Sequence, residues 1–256
     1  MAFSVAAGKE RDVKGHIYVI GMGPGKRTGM TAEAAEAVSA CDVIVGYTVY
    51  VELIRTSWPE KDFFTTPMRQ EIARCRKCYE LAEAGKIVGL VCSGDAGIYG
   101  MAAPMLELQR EYPEAEVTVI PGTTAANSGA AVLGAPLNHD FCVISLSDLL
   151  TPWAVIERRI RCGVQGDFVM AIYNPSSRKR ADYLQKAADI MLAAGAEPNR
   201  ACGYVENIGR NGTRAVTCTL AELREAKVNM FTTVYVGNSR SFIQGGKLIT
   251  PRGYEL

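Results

Sequence analysis

The sequence predicts an α/β protein of two α/β domains with an intervening cleft, the first sheet mostly parallel and the second mixed. Three observations predict it. Short β-branched runs alternate with longer stretches of helical period along the chain. Glycine-marked turns follow several of the expected strands. A seam of turn-forming residues, Gly134-Ala135-Pro136-Leu137-Asn138, falls near the middle of the 256 residues. A chain of that length can bury a substantial core as one large domain or two smaller ones.

Taken in order, residues 1–14 are polar and mixed and read as a flexible leader. Residues 15–136 read as an N-terminal α/β domain. Its strands are expected at 17–20, 43–46, 87–92 and 116–120, where Val, Ile and Leu run together as in strands buried on both faces. Helices are expected at 31–39, 69–84 and 102–111. Thr31 ahead of an Ala-rich run has the side chain that caps a helix start. Pro121-Gly122 breaks the chain before a helix of small residues at 123–133. Residues 137–256 read as the C-terminal domain, with strands at 141–145, 168–173, 202–206, 215–219 and 232–236. Helices fit 152–161, 178–194 and 220–225. Asn211-Gly212 before the fourth of these strands is a hairpin signal, so an antiparallel pair is expected there and the second sheet is expected to be mixed.

Bulk properties narrow the function classes. A formal net charge of +1 carries no argument for nucleic acid or an anionic membrane surface. No apolar run is long enough to span a bilayer. The eight cysteines are scattered, mostly within apolar runs, which fits reduced thiols and a cytoplasmic location. Cys75 and Cys78 have metal-finger spacing, but no second such pair exists, and on a helix they are simply neighbours.

The segment His16-Ile17-Tyr18-Val19-Ile20-Gly21-Met22-Gly23-Pro24-Gly25 runs a strand straight into a Gly/Pro turn. It is a poor dinucleotide fingerprint. Lys26 stands where the third glycine belongs, and the next strand ends in Gly46-Tyr47-Thr48 without the acid that would take a ribose hydroxyl. Pro24 also removes an N–H that a pyrophosphate would use. Two further turns follow strands: Ser93-Gly94-Asp95-Ala96-Gly97-Ile98-Tyr99-Gly100 and Pro121-Gly122-Thr123-Thr124-Ala125-Ala126. Ligands of open α/β sheets bind at the carboxyl ends of strands, so turns of this kind would line one rim. Each alone is an ordinary βα connection; together they point to a shared site.

In this order, the Gly21–Gly25 turn, Ser93-Gly94-Asp95 with Tyr99-Gly100, and Pro121–Ala126 resemble the tetrapyrrole (corrin/porphyrin) methyltransferase family. The resemblance runs from His16 to Val236. The segments 144–153, 173–178 (Tyr-Asn-Pro-Ser-Ser-Arg) and 209–212 resemble its subgroup that methylates C-17 of a precorrin and contracts the macrocycle. Two positions depart from the common family pattern: Lys26, where many members have an acid, and Ala96, where many have proline.

The resemblance implies S-adenosyl-L-methionine as cofactor, bound between the two domains, and a tetrapyrrole (precorrin) as substrate. It implies cofactor contacts at Pro24, Ser93, Gly94, Asp95, Ile98, Thr124, Ala125, Asn174 and Asn207. Asp95 could hold a polar edge of the cofactor or stabilise its own turn as an Asx cap. Thr124 and Ala125, at a helix start, would offer N–H groups. Methyl transfer needs mainly alignment and exclusion of water. Ring contraction moves protons as well as carbon, and the acid–base candidates are Asp95, His139, Ser145 and Asp148. His139 could equally be structural, and Asp148 could cap the next helix. Arg178, Arg210 and Arg214 are candidate partners for the substrate's carboxylate arms, against a bland reading as surface residues. A homodimer is expected from the family. Methylation at another ring carbon or of uroporphyrinogen, or non-catalytic binding of a nucleotide-like ligand, are the alternatives.

Overall fold

The computed structural model describes residues 15–177 and 179–255. The expected leader and Arg178 lie outside the described residues. The chain divides into two compact units, one ending at Gly122 and the other beginning at Thr123.

The first unit contains β1 (His16–Gly21), α1 (Ala32–Ala40), β2 (Val43–Tyr47), α2 (Thr48–Ile54), β3 (Asp62–Thr66), α3 (Glu71–Glu83), β4 (Ile87–Cys92), α4 (Ala102–Leu108) and β5 (Glu116–Ile120). Its five strands are ordered β3-β2-β4-β1-β5, and every pairing is parallel. Helices cover both faces. On one, Ala34, Ala37 and Val38 of α1 and Val51 and Ile54 of α2 pack on Ile20, Ile44 and Val91. On the other, Cys75, Cys78 and Tyr79 of α3 and Met105 of α4 pack on Ile17, Val19, Val88 and Leu90. Burial on both faces is why these strands read as continuous apolar runs. Each fully buried Leu or Ile contributes about 1.5–3 kcal/mol relative to exposure. Cys75 and Cys78 are buried core, and desolvation pushes the Cys75 thiol up to about 11. Among the described residues no cluster could hold a metal ion.

This arrangement makes a switch point. The chain leaves β1 through α1 on one face and leaves β4 through α4 on the other. Right-handed crossovers then carry it in opposite directions from two adjacent strands. The carboxyl ends of β1 and β4 are therefore the crevice where an open α/β sheet takes a ligand.

The second unit contains α5 (Ala125–Leu133), β6 (Gly134–Ala135), β7 (Phe141–Ser145), α6 (Trp153–Gln165), β8 (Val169–Tyr173), α7 (Tyr183–Ala193), β9 (Ala201–Glu206), β10 (Arg214–Thr219), α8 (Leu220–Glu225), β11 (Thr232–Val236), β12 (Phe242–Gln244) and β13 (Lys247–Ile249). Its main sheet is ordered β10-β9-β11-β8-β7. β7 and β8 pair in parallel, and the other pairings are antiparallel, so the sheet is mixed as the sequence predicts. α5 packs on it through Ala126, Ala130 and Leu133 against Val205 and Tyr235. That packing puts α5 in the second unit, so the units part at Gly122/Thr123 while the seam expected at 134–138 lies inside the second unit.

Some elements escape the sequence pattern. β3 is an edge strand with alternating exposed and half-buried residues, and α2 follows β2 without a turn signal. β6 exists only because β13 pairs with it, Leu248 opposite Gly134. The hairpin that carries β13 turns through Gly245 and Gly246, whose φ values of 56° and 72° suit a two-residue turn with both central residues left-handed.

Candidate active site

At the switch point of the first unit the glycine turns interlock with one another. Gly23 N–H donates to Gly94 O at 3.0 Å and Gly94 N–H to Gly23 O at 2.8 Å. Met22 N–H continues the ladder to Cys92 O at 2.9 Å. A Cβ on Gly122 would stand 2.2 Å from Gly94 O and 2.4 Å from Gly21 O, and one on Gly21 would stand 2.5 Å from Gly122 N. Three chain segments thus meet backbone to backbone, which only glycine permits.

Asp95 locks this junction. Its Oδ1 accepts from Gly97 N–H at 2.8 Å and from Ile98 N–H at 3.0 Å. Its Oδ2 accepts from Gly122 N–H at 2.9 Å, tying the β4 turn to the end of β5. Of its two sequence-level roles, the structure displays turn stabilisation. The Gly97, Ile98 and Gly122 N–H groups are engaged by Asp95, and the Ile98 side chain stays exposed on the loop. Backbone carbonyl acceptors beside an apolar side chain suit S-adenosylmethionine, whose amino groups and ribose hydroxyls are hydrogen-bond donors. Pro24 and Ser93 stand on the same rim, each directly after the β1 or β4 segments just described.

In the second unit, β7, β8 and β9 run in the same direction, so Ser145, Asn174 and Asn207 share one end of the sheet. Tyr173, the last residue of β8, reaches the start of α5. Its hydroxyl lies 2.5 Å from Thr124 Oγ1 and accepts from Ala126 N–H at 2.8 Å. Tyr235 holds the same turn of α5 by donating to the carbonyls of Ala125 and Ala126 at 2.7 and 2.8 Å. Burial and the neighbouring Tyr173 raise the Tyr235 pKa. Asn174 and Asn207 both have positive φ, 54° and 53°, a conformation that Asn tolerates.

Ser145 and Asp148 follow at the end of β7. Ser145 Oγ accepts from Asn174 Nδ2 at 2.9 Å and from Ser147 N–H at 3.1 Å. Asp148 accepts from the Tyr183 hydroxyl at 2.6 Å and from Arg180 Nε at 2.5 Å. Those two donors, Tyr183 first, hold its carboxyl below the ordinary carboxylate range. Arg210 lies with its guanidinium 4.8 Å from the Phe231 ring centre, and Arg214 pairs with Glu206 at 3.4 Å. Both flank the carboxyl end of β9.

His139 is set apart. It precedes β7, at the opposite end of that strand from Ser145, and a strand of this length spans about 17 Å. Its Nδ1 accepts from Asp140 N–H at 2.8 Å. Three residues that build the site were not singled out from sequence: Tyr173 for its hydroxyl, Tyr235, and Arg74 in α3. Arg74 carried a readable signal. It stands four residues before Cys78 on the apolar stripe of its helix, where a solvated arginine has no place.

This architecture and rim are those of a known class, and the chain belongs to the tetrapyrrole (corrin/porphyrin) methylase family, whose model matches residues 16–224. It is 47% identical over 241 residues to a Salmonella typhimurium protein named "Probable cobalt-factor III C(17)-methyltransferase", covering 94% of this chain and 100% of that one. It is 35% identical over 249 residues to a Sinorhizobium protein named precorrin-3B C(17)-methyltransferase, covering 94% of this chain and 97% of that one. Among solved structures, that of the methyltransferase CobJ superposes with a TM-score of 0.84 at 35% identity, over 93% of this chain and all of the other. Among the described residues no helix is long and apolar enough to cross a membrane.

Proposed function

We propose that this chain is an S-adenosyl-L-methionine-dependent C-methyltransferase of cobalamin biosynthesis, adding a methyl at C-17 of a precorrin-3B-type macrocycle and contracting its ring. The observation that carries the reading is full-length similarity to a C(17)-methyltransferase in a chain whose glycine turns converge at the β1/β4 switch point. The methyl acceptor named in the Salmonella relative, cobalt-factor III, is the first substrate to try.

The cofactor supplies an activated methyl group on a sulfonium. The chain supplies position. Pro24, Ser93, Gly94, Asp95 and Ile98 line the first unit's rim, and Thr124, Ala125, Asn174 and Asn207 the second unit's. Interlocked backbone needs no reorganisation when ligand arrives, which favours alignment of the methyl with its carbon acceptor. Arg178, Arg210 and Arg214 are the proposed partners for the substrate's carboxylate arms.

For ring contraction, Ser145 and Asp148 are the acid–base candidates at the rim. Asp95 has both oxygens engaged in its turn, and His139 is at the far end of β7. Asp148, kept ionised by Tyr183 and Arg180, suits a base or an electrostatic role rather than a general acid.

The enzyme is proposed to work in the cytoplasm as a homodimer. Phe141 on edge strand β7 and nearby Phe168 leave apolar surface for a subunit contact. Sedimentation at micromolar concentration should give twice the 27.6 kDa chain mass.

The test of the activity is anaerobic incubation with cobalt-factor III and methyl-labelled S-adenosylmethionine. A labelled, ring-contracted product, identified by mass and absorbance, is expected. No label transfer, with no calorimetric binding of S-adenosylhomocysteine, would overturn the reading.

A further inference from the structure

We propose that Arg69 and Tyr99 are substrate contacts of the first unit. The Arg69 guanidinium takes a carboxylate arm of the tetrapyrrole, and the Tyr99 ring lies against its macrocycle. This rests on the function proposed above and adds residues to it.

The described non-glycine residues with positive φ are Arg69, Tyr99, Asp167, Asn174 and Asn207. Asn and Asp enter this region at little cost, because their short polar side chains bond locally. Arginine and tyrosine do not, yet Arg69 has φ 68° and Tyr99 has φ 54°. Both lie in the first unit, Arg69 just after β3 and Tyr99 in the turn after β4. Because every pairing in that sheet is parallel, both stand at the carboxyl end, with the switch point. β2 alone separates their strands, so the strand ends are about 10 Å apart. Both residues are exposed, Tyr99 by 56%.

A strained backbone persists only where its surroundings hold it. Here the holder is Arg74, whose residue is 4% exposed. Its Nε donates to Thr66 Oγ1 at 2.8 Å and its Nη2 to Pro67 O at 3.1 Å, at the base of the Arg69 loop. Its Nη1 reaches Met101 Sδ at 3.9 Å, at the foot of the Tyr99 loop. Arg74 N–H also donates to Gln70 O at 2.9 Å, and Glu71 Oε1 accepts from Arg69 N–H at 3.2 Å. One buried arginine thus braces both loops. Among the described residues, neither the Arg69 nor the Arg74 guanidinium has a carboxylate within ion-pair distance. The Arg69 guanidinium is therefore an exposed cation without an ion-pair partner, on the same rim as an exposed aromatic ring. A flat, largely apolar macrocycle edged with carboxylates has the matching chemistry.

Glycine is the discriminating substitution, because it adopts positive φ freely and removes the side chain. Arg69→Gly and Tyr99→Gly are expected to keep or raise the melting temperature and to leave S-adenosylhomocysteine affinity unchanged. Each should raise the KM for cobalt-factor III about tenfold with kcat within about twofold, the signature of a lost uniform binding contact. Arg69→Lys should restore part of the KM, and the Arg69→Gly KM should depend less steeply on salt than the wild type's. Unchanged KM in both glycine variants would overturn the inference. So would a KM rise matched by an equal loss of S-adenosylhomocysteine affinity, which would mean that these residues only shape the loops. Failure of the wild type itself to turn over cobalt-factor III would sink the functional reading and this inference with it.

Discussion

The hydroxyl of Tyr173 stands 2.5 Å from Thr124 Oγ1 and takes the Ala126 N–H at 2.8 Å, so the side chain that ends β8 completes the cap of α5. Thr124 occupies the N-cap position with extended backbone but makes no cap hydrogen bond of its own to the helix N–H groups. The tyrosine supplies it instead. A strand end and a helix start that are far apart in sequence are thereby held in one register at the rim.

Tyr173→Phe removes that acceptor and leaves a helix N–H without its partner. The expected cost is about 1–2 kcal/mol, a fall in melting temperature of about 2–8 °C. Thermal unfolding followed by circular dichroism measures it. S-adenosylhomocysteine binding should weaken in the same variant if α5 carries cofactor contacts. An unchanged melting curve would show that the phenol is not the working cap.

Asp95→Asn places an amide NH2 among backbone N–H groups that now donate to a carboxylate. At least one of the bonds to Gly97, Ile98 and Gly122 must be lost. Hydrogen bonds to a charged acceptor contribute about 1.5–3 kcal/mol each. Calorimetry should show S-adenosylhomocysteine affinity down by about tenfold or more, with the far-ultraviolet spectrum retained. Wild-type affinity in this variant would mean that the turn does not shape the cofactor rim.

Two glycines make a matched pair. Gly122→Ala drives a Cβ into Gly94 O and Gly21 O, backbone atoms that cannot swing aside. The variant is expected to yield little soluble protein. Gly212→Ala meets nothing within 4 Å and suffers only from its φ of 77°, a cost of about 1–2 kcal/mol. It should fold and melt a few degrees lower. Equal behaviour of the two would contradict the interlocked junction.

Asp148 offers a pH test. Tyr183 and Arg180 lower its pKa in the folded state. Its contribution to stability is therefore fully present above the unfolded carboxyl value of about 3.9 and is lost as pH falls through the folded value. Denaturant unfolding of wild type and Asp148→Asn should differ by a constant amount between about pH 6 and 8. The gap should close in acid, below about pH 4. A gap that persists undiminished in acid would locate the effect in packing.

Contraction and methylation should separate in Ser145→Ala and Asp148→Asn. If alignment supplies most of the methyl-transfer rate, both variants still add the methyl. One should accumulate a methylated, uncontracted ring, read from product mass and absorbance. Fully contracted product at the normal rate from both would leave the substrate's own carboxylates to move the protons.

The sequence by itself determined the alternation of strands and helices, the mixed second sheet and the rim turns. Each is a local signal. Runs such as Ile87–Cys92 are apolar because a parallel strand is buried on both faces, and Asn211-Gly212 falls in the loop that joins the antiparallel pair β9 and β10. The family, too, is written in short motifs whose order survives without coordinates.

Tertiary structure decided what those motifs do. The glycine turns read as the lining of a shared site, and at Gly21, Gly94 and Gly122 they prove first to be places where backbone meets backbone. α5 joins the second unit because Ala126, Ala130 and Leu133 find their core there, a contact no local pattern announces. His139 and Ser145 are close in sequence and fall at opposite ends of β7, since a strand carries its two ends apart. Arg74 stands on the apolar stripe of α3, but what it braces, two strained loops, is set only when β3 and β4 are brought side by side with β2. Spacing along a chain encodes local geometry. Which groups share a hydrogen bond across many residues is set by the packing of the sheet.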